Sequence, residues 1–188
     1  MGQVIHFEEA AVARLRERLG VVEEANQDLI AFARGHSGAV ASIHEAALAA
    51  VDSTSIEDLL EIVSGRWPAI LGVDSVAVAL VTGRRGFCAR DGRLEQVEAG
   101  FVQRMLSPRA LVEIRSVSCG HALFGTGHCN DIQAEALIRI DSPAPHPFGL
   151  LALGQRGRFE LDCGHGSELL LFLGQVVASA LRRFGDSS

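Results

Sequence analysis

Residues 148–154 read Phe-Gly-Leu-Leu-Ala-Leu-Gly, a short apolar run with one glycine near its start and another at its end. Apolar runs of four to eight residues between turn signals are typical of a buried strand. The segment Ser75–Thr82 (SVAVALVT) has the same character and lies between Gly72 and Gly83. We therefore predict that both segments are strands of one sheet.

The segments around these two strands are less regular but keep a clear order. They comprise a helix from Ile56 capped by Thr54 or Ser55, a weakly strand-like stretch at 87–96, a short helix at 97–106, strands at 111–118 and 134–141, a loop at 119–131, and a final helix at 167–184. This order suits a single antiparallel sheet with helices covering one face. The predicted fold class is therefore α+β.

The N-terminal 52 residues have a different pattern. Residues 7–52 are predicted as one long coiled-coil-type helix, or two helices in line with a kink near 35–38, because apolar positions recur in steps of three and four. The predicted dimer seam consists of Val12, Leu15, Leu19, Val22, Asn26 and Leu29. The alternative is an amphipathic helix that packs on its own domain. The predicted domains are a helical dimerisation segment at 1–52 and an α+β domain at 53–188.

Composition excludes several functions. All 17 basic residues are arginine and the chain has no tyrosine, so chemistry that depends on lysine or on a phenol is excluded. The net charge of −6 argues against a nucleic-acid partner. No apolar run is long enough to predict a membrane span, and the start has no signal-peptide pattern, so we expect a cytoplasmic protein with reduced cysteines.

The C-terminal half resembles the end of a GAF domain. The resemblance rests on Gly149-Leu-Leu-Ala-Leu-Gly154, on Arg158-Phe159 and on the amphipathic helix that follows. More narrowly, the chain is similar to the bacterial domain-of-unknown-function family 484, with Glu24-Ala-Asn26 and Ser118-Cys119-Gly120 as matching motifs. The resemblance implies a GAF-like domain after an N-terminal helical segment. It implies no catalytic residue, because the family is uncharacterised.

A GAF-like fold would form a ligand pocket from its first strand, middle loop and later strands. The residues that this resemblance points to are Val76, Val78, Leu80, Cys88, Phe101, Cys119, Phe124 and Leu137. Mainly apolar side chains suit a small-molecule site or a filled core, and the second interpretation is favoured. An anionic ligand would need Arg104, Arg115 or Arg139, since arginine is the only cationic side chain besides histidine.

One cluster of reactive side chains lies in the middle loop: Cys119, His121, His128 and Cys129. Cysteine and histidine ligate zinc, but this spacing matches no standard zinc site, and no metal is predicted. A redox role would use Cys119 and Cys129, with protonated histidines lowering a thiol pKa. The favoured interpretation is that the cysteines are buried and the histidines exposed.

The function predicted from these observations is a non-catalytic GAF-like sensor or scaffold with a regulatory or signalling role, working as a homodimer. Its ligand, if any, would be a small molecule, and no cofactor is predicted. Two alternatives remain open: a redox thiol sensor or small GAF-type reductase that uses Cys119 and Cys129, and a purely structural interaction module.

Overall fold

The central strand of the fold is β1, Ser75–Thr82, whose first seven residues are all buried. The computed structural model describes residues 38–106, 110–125, 129–142, 147–157 and 165–185. In it, β1 pairs antiparallel with β2 (Arg85–Arg90) on one side and with β6 (Phe148–Gln155) on the other. The two apolar runs of the sequence are therefore adjacent strands at the centre of the sheet.

Six antiparallel strands complete this sheet in the order β3-β2-β1-β6-β5-β4. The outer strands are β3 (Arg93–Glu98), β4 (Val112–Ser116) and β5 (Ala134–Ile140). Helices flank the sheet, so the predicted α+β architecture is confirmed. Both edge strands carry more exposed residues than the centre, in keeping with their position.

Most helices lie on one face of the sheet, which we call the helix face. They are α1 (38–51), α2 (Ile56–Glu61) with its π-helical continuation Ile62–Arg66, α3 (Trp67–Leu71) and α5 (His165–Gly185). Ser55 caps α2, accepting from the amide of Asp58 at 3.1 Å, as the sequence predicts. Trp67 is fully buried in this layer, and its Nε1 donates to the carbonyl of Ala46 at 3.0 Å.

The opposite face of the sheet is covered as well. The helix α4 (Ala99–Leu106) packs against β1, β2 and β6. A single 3₁₀ turn, Ala122–Phe124, packs beside it. Helices therefore lie on both faces rather than on the one predicted, because β1 is apolar on both sides and each side requires a cover.

The chain forms two compact units, Met1–Ala41 and Ser42–Ser188. The predicted dimer seam from Val12 to Leu29 and the predicted kink lie outside the described residues. Further along the helix, Ile43, Ala46 and Ala50 belong to the core of the second unit. Within the described part of the chain, no helix combines the length and the hydropathy that a bilayer span requires.

Candidate functional site

The face of the sheet opposite the main helix layer, here called the cup face, carries small side chains at its centre. Ala77 and Ala79 of β1 and Ala152 of β6 point toward it. Small residues leave space above the sheet, and Leu123 and Phe124 of the 3₁₀ turn fill it, each only 1% exposed. The middle loop therefore supplies core side chains to this face.

Two glycines allow the loop to approach the sheet so closely. A Cβ at Gly154 would lie 2.9 Å from the Phe124 ring and 2.9 Å from Cδ1 of Ile132. A Cβ at Gly120 would lie 2.7 Å from Cβ of Ile132. Contacts this short would force neighbouring atoms to shift, so glycine at both positions lets the loop lie this close to the sheet without displacing Ile132 or Phe124.

The structure divides the eight residues predicted for a pocket among three places. Val76, Val78 and Leu80 point into the helix face, whereas Cys88, Phe101, Phe124 and Leu137 lie on the cup face. Cys119 is exposed on the middle loop. The cup-face residues of β1 are Ala77, Ala79 and Val81, one position out of register with the predicted set. A strand buried on both faces has no polar alternation that would identify its faces.

A buried carboxylate holds the middle loop to the sheet. The Glu135 side chain is completely buried on β5, and its Oε1 accepts from Nε and Nη2 of Arg115 at 2.7 and 2.6 Å. Its Oε2 accepts from the backbone amide of His121 at 2.6 Å. The carboxylate thus joins β4, β5 and the start of the 3₁₀ turn.

Arg115 therefore forms ion pairs with two carboxylates of the protein itself, those of Glu113 and Glu135. Partial burial alone would lower its pKa, but the hydrogen bond and charge of Glu135, together with nearby Glu113, outweigh this effect and raise the pKa. Arg139 likewise pairs with Asp141, at 2.9 Å. Glu135 could not be identified from the sequence, because a lone carboxylate in an apolar strand has no visible partner until strand register brings Arg115 beside it.

The two loop cysteines are neighbours in the fold. The amide of Gly120 donates to the carbonyl of Cys129 at 2.6 Å, which brings the two ends of the loop together. Both sulfur atoms contact one acceptor, Oδ1 of Asn130, at 3.6 Å from Cys119 and 3.8 Å from Cys129. Both are free thiols, Cys119 exposed and Cys129 half-buried. We call Cys119, Cys129 and Asn130 the thiol pair site.

The surroundings of this site raise the pKa of Cys119, whereas the redox interpretation of the sequence relied on a lowered thiol pKa. The hydrogen bond with Cys129 is the main cause that raises the pKa of Cys119, followed by desolvation and by the charge of Glu135. Nδ1 of His121 accepts a hydrogen bond from the amide of Leu123 at 3.3 Å. His128 lies outside the described residues. Among the residues that are described, no group of three or more His, Cys, Asp or Glu could hold a metal ion.

Alkylation should report this raised pKa directly. Because only the thiolate reacts, Cys119 should react more slowly in the folded chain than in the urea-unfolded chain near neutral pH, and the two rates should converge as the pH rises. Site-resolved mass spectrometry after iodoacetamide treatment measures the rate of Cys119 alkylation in the folded and in the unfolded chain. Cys88 is the control: burial raises its pKa, but it is also shielded, so it should stay protected at alkaline pH while the fold persists. Faster labelling of folded Cys119 at neutral pH would contradict the assignment.

Solved structures with a similar arrangement include a GAF domain. The A. aeolicus nlh2 GAF domain aligns with a TM-score of 0.55 at 11% identity, over 79% of this chain and 98% of that one. The free methionine-R-sulfoxide reductase of Neisseria meningitidis aligns with a TM-score of 0.52 at 11% identity, over 78% and 89%. Bacteriophytochrome RpBphP3 of R. palustris aligns with a TM-score of 0.52 at 13% identity, over 78% of this chain and 38% of that one.

The sheet order, the flanking helices and the covered cup face thus define a protein of the GAF-like fold class. At these identities the likeness concerns the fold alone. A comparison with curated proteins finds no match. The family model described as "Protein of unknown function, DUF484" matches residues 1–186, and the chain belongs to this family.

Proposed function

We propose that this protein is a non-catalytic GAF-like sensor or scaffold that works as a homodimer. The observation that carries the proposal is a strip of exposed apolar side chains on α1 and α5, which we call the apolar strip. It consists of Leu48, 66% exposed, Val51, 51% exposed, and Phe172, 40% exposed. Large apolar side chains grouped on one surface mark an interaction site more often than single ones do.

Val51 and Phe172 of the apolar strip line a surface groove of about 370 Å³, together with Val176 and Ala180 among others, and Leu48 lies one turn before Val51 on α1. Arg183 fixes the two helices at this end, since its Nη1 donates to the carbonyl of Val51 at 2.8 Å. We propose a second copy of this chain as the occupant of the groove. The predicted heptad seam from Val12 to Leu29 precedes α1 in the chain, and Leu48 and Val51 of the apolar strip supply further apolar positions after it.

A sensor of this kind requires that the cup face influence the helix face. The strand β1 faces both: Ala77 and Ala79 pack under the 3₁₀ turn, and Val76 and Val78 pack under the helices. A small molecule in the cup would have to displace Leu123 or Phe124, and the sheet would transmit the repacking to α1 and α5. Such a ligand would act by shifting a two-state equilibrium at the dimer interface.

Substitution of the apolar strip tests the dimer. Leu48→Glu places a charge in the proposed interface, and we expect it to raise the dimer dissociation constant about tenfold or more. Sedimentation of the full chain across a concentration series measures the constant. Leu94→Glu is the matched control, because Leu94 is 43% exposed but lies on the edge strand β3. A wild-type monomer at micromolar concentration, or equal weakening by both variants, would overturn the proposal.

A further inference from the structure

We propose that Cys119 and Cys129 form a reversible intramolecular disulfide by exchange with a low-molecular-weight disulfide. This disulfide would form whether or not the chain dimerises or binds a ligand in the cup, because only the thiol pair site takes part. Three contacts carry the proposal: the backbone hydrogen bond between Gly120 and Cys129, and the two sulfur contacts to Oδ1 of Asn130.

The positions of the two thiols suit a two-step exchange. Cys119 is exposed and open to an oxidant, whereas Cys129 is half-buried next to it and faces the same acceptor. The 2.6 Å hydrogen bond from Gly120 to Cys129 joins the two segments that carry the thiols. A disulfide requires close Cβ atoms, and segments joined in this way can supply them.

The chemistry balances with the disulfide as the oxidant. The Cys119 thiolate, after losing its proton to water, attacks one sulfur of the small disulfide, and the first small thiolate leaves. The deprotonated Cys129 then attacks the Cys119 sulfur of the mixed disulfide, and the second small thiolate leaves. Two cysteine thiols lose two electrons and two protons in total. One small disulfide gains them and becomes two small thiols.

The surroundings of Cys119 make thiol–disulfide exchange slow. The thiol pair site would therefore respond to the redox equilibrium rather than act as a fast peroxide sensor. The contact with Cys129, desolvation and the charge of Glu135 raise the pKa of Cys119, which lowers its thiolate fraction and with it the rate of attack. Closing the pair ties Cys119 and Cys129 together on either side of the turn that carries Leu123 and Phe124. Oxidation would therefore restrain the segment that covers the cup face.

A redox titration of the full chain tests the proposal. A Cys88→Ala, Cys163→Ala background leaves only the two loop cysteines, and mixtures of reduced and oxidised glutathione set the potential. We expect the intact mass to fall by two hydrogen atoms, with peptide mapping linking Cys119 to Cys129 at every protein concentration. In the same background, Cys119→Ser and Cys129→Ser should each stop at one glutathione adduct.

The comparison with the unfolded chain makes the outcome decisive. If the fold holds the thiols together, the disulfide should form at least about tenfold more favourably in the folded chain than in urea. The same titration on the chain with all four native cysteines shows whether the pairing survives without the background substitutions. An equal or lower equilibrium constant in the folded chain, glutathione adducts on both cysteines without a disulfide, or a disulfide between two copies would each overturn the proposal.

Discussion

Replacing Gly149 with alanine should destabilise the protein by about 3 kcal/mol or more, the upper range for forcing extra atoms into a packed interior. Gly149 faces Leu80 across the central β1–β6 pair. A Cβ there would overlap the carbonyl oxygen of Ala79 and lie 2.9 Å from Cδ2 of Leu80. Backbone cannot move aside as a flexible side chain can, so the two strands must separate. Urea unfolding followed by circular dichroism measures the loss.

Gly157→Ala is the matched control for this substitution. Gly157 follows the same strand, but no atom lies within 4 Å of its potential Cβ, and its backbone is not left-handed. Its free energy of unfolding should change by no more than about 0.5 kcal/mol. A Gly149→Ala protein that unfolds at the wild-type urea concentration would show that β1 and β6 are not packed as closely as described.

Glu135→Gln should cost about 2–3 kcal/mol, the range for losing charged hydrogen bonds at a buried group. Both carboxylate oxygens accept hydrogen bonds, from Arg115 and from the His121 amide. A glutamine of the same shape has one oxygen and one NH₂ group, so one of the two donors must face another donor. Denaturant unfolding measures the cost, and hydrogen exchange at His121 should accelerate because its acceptor is weakened.

A surface carboxylate gives the control for Glu135. Glu95 pairs with Arg90 at 2.6 Å, a distance like that at Glu135, but its side chain is 50% exposed. Glu95→Gln should cost less than about 1 kcal/mol, because water replaces a lost surface ion pair. Equal losses for the two substitutions would mean that Glu135 is solvated and does not hold the middle loop to the sheet.

The sequence predicted the strands well where the signal was local. The apolar runs at 75–82 and 148–154 form the central strands, and Ser55, one of the two predicted candidates, caps the helix. Both features could be predicted because a buried strand and a helix cap each require particular residue types at consecutive positions. The short helix predicted at 97–106 is also present, as Ala99–Leu106. Family membership could likewise be inferred from short motifs.

The candidate sites were only partly predictable. Clustering in sequence drew attention to Cys119 and Cys129, but only the folded loop shows that their sulfur atoms share the acceptor Asn130. The pKa of Cys119 is raised chiefly by its contact with Cys129, and the charge of Glu135 on β5 adds to the shift. The apolar strip was not predicted at all, since Leu48 and Val51 have the helical spacing of core residues and only the packing of α5 shows that they remain exposed.

The amino-acid sequence by itself determined the two central strands, the α+β class and the glycines that let β6 and the middle loop pack closely, whereas the stretch predicted at 87–96 is in fact the two paired strands β2 and β3. Each of these depends on residue type and short-range periodicity. The tertiary structure decided which face of β1 lies beneath the loop, which arginine neutralises Glu135 and which thiols meet. These features depend on strand register and loop closure, and a one-residue shift in register would send every side chain of β1 to the opposite face.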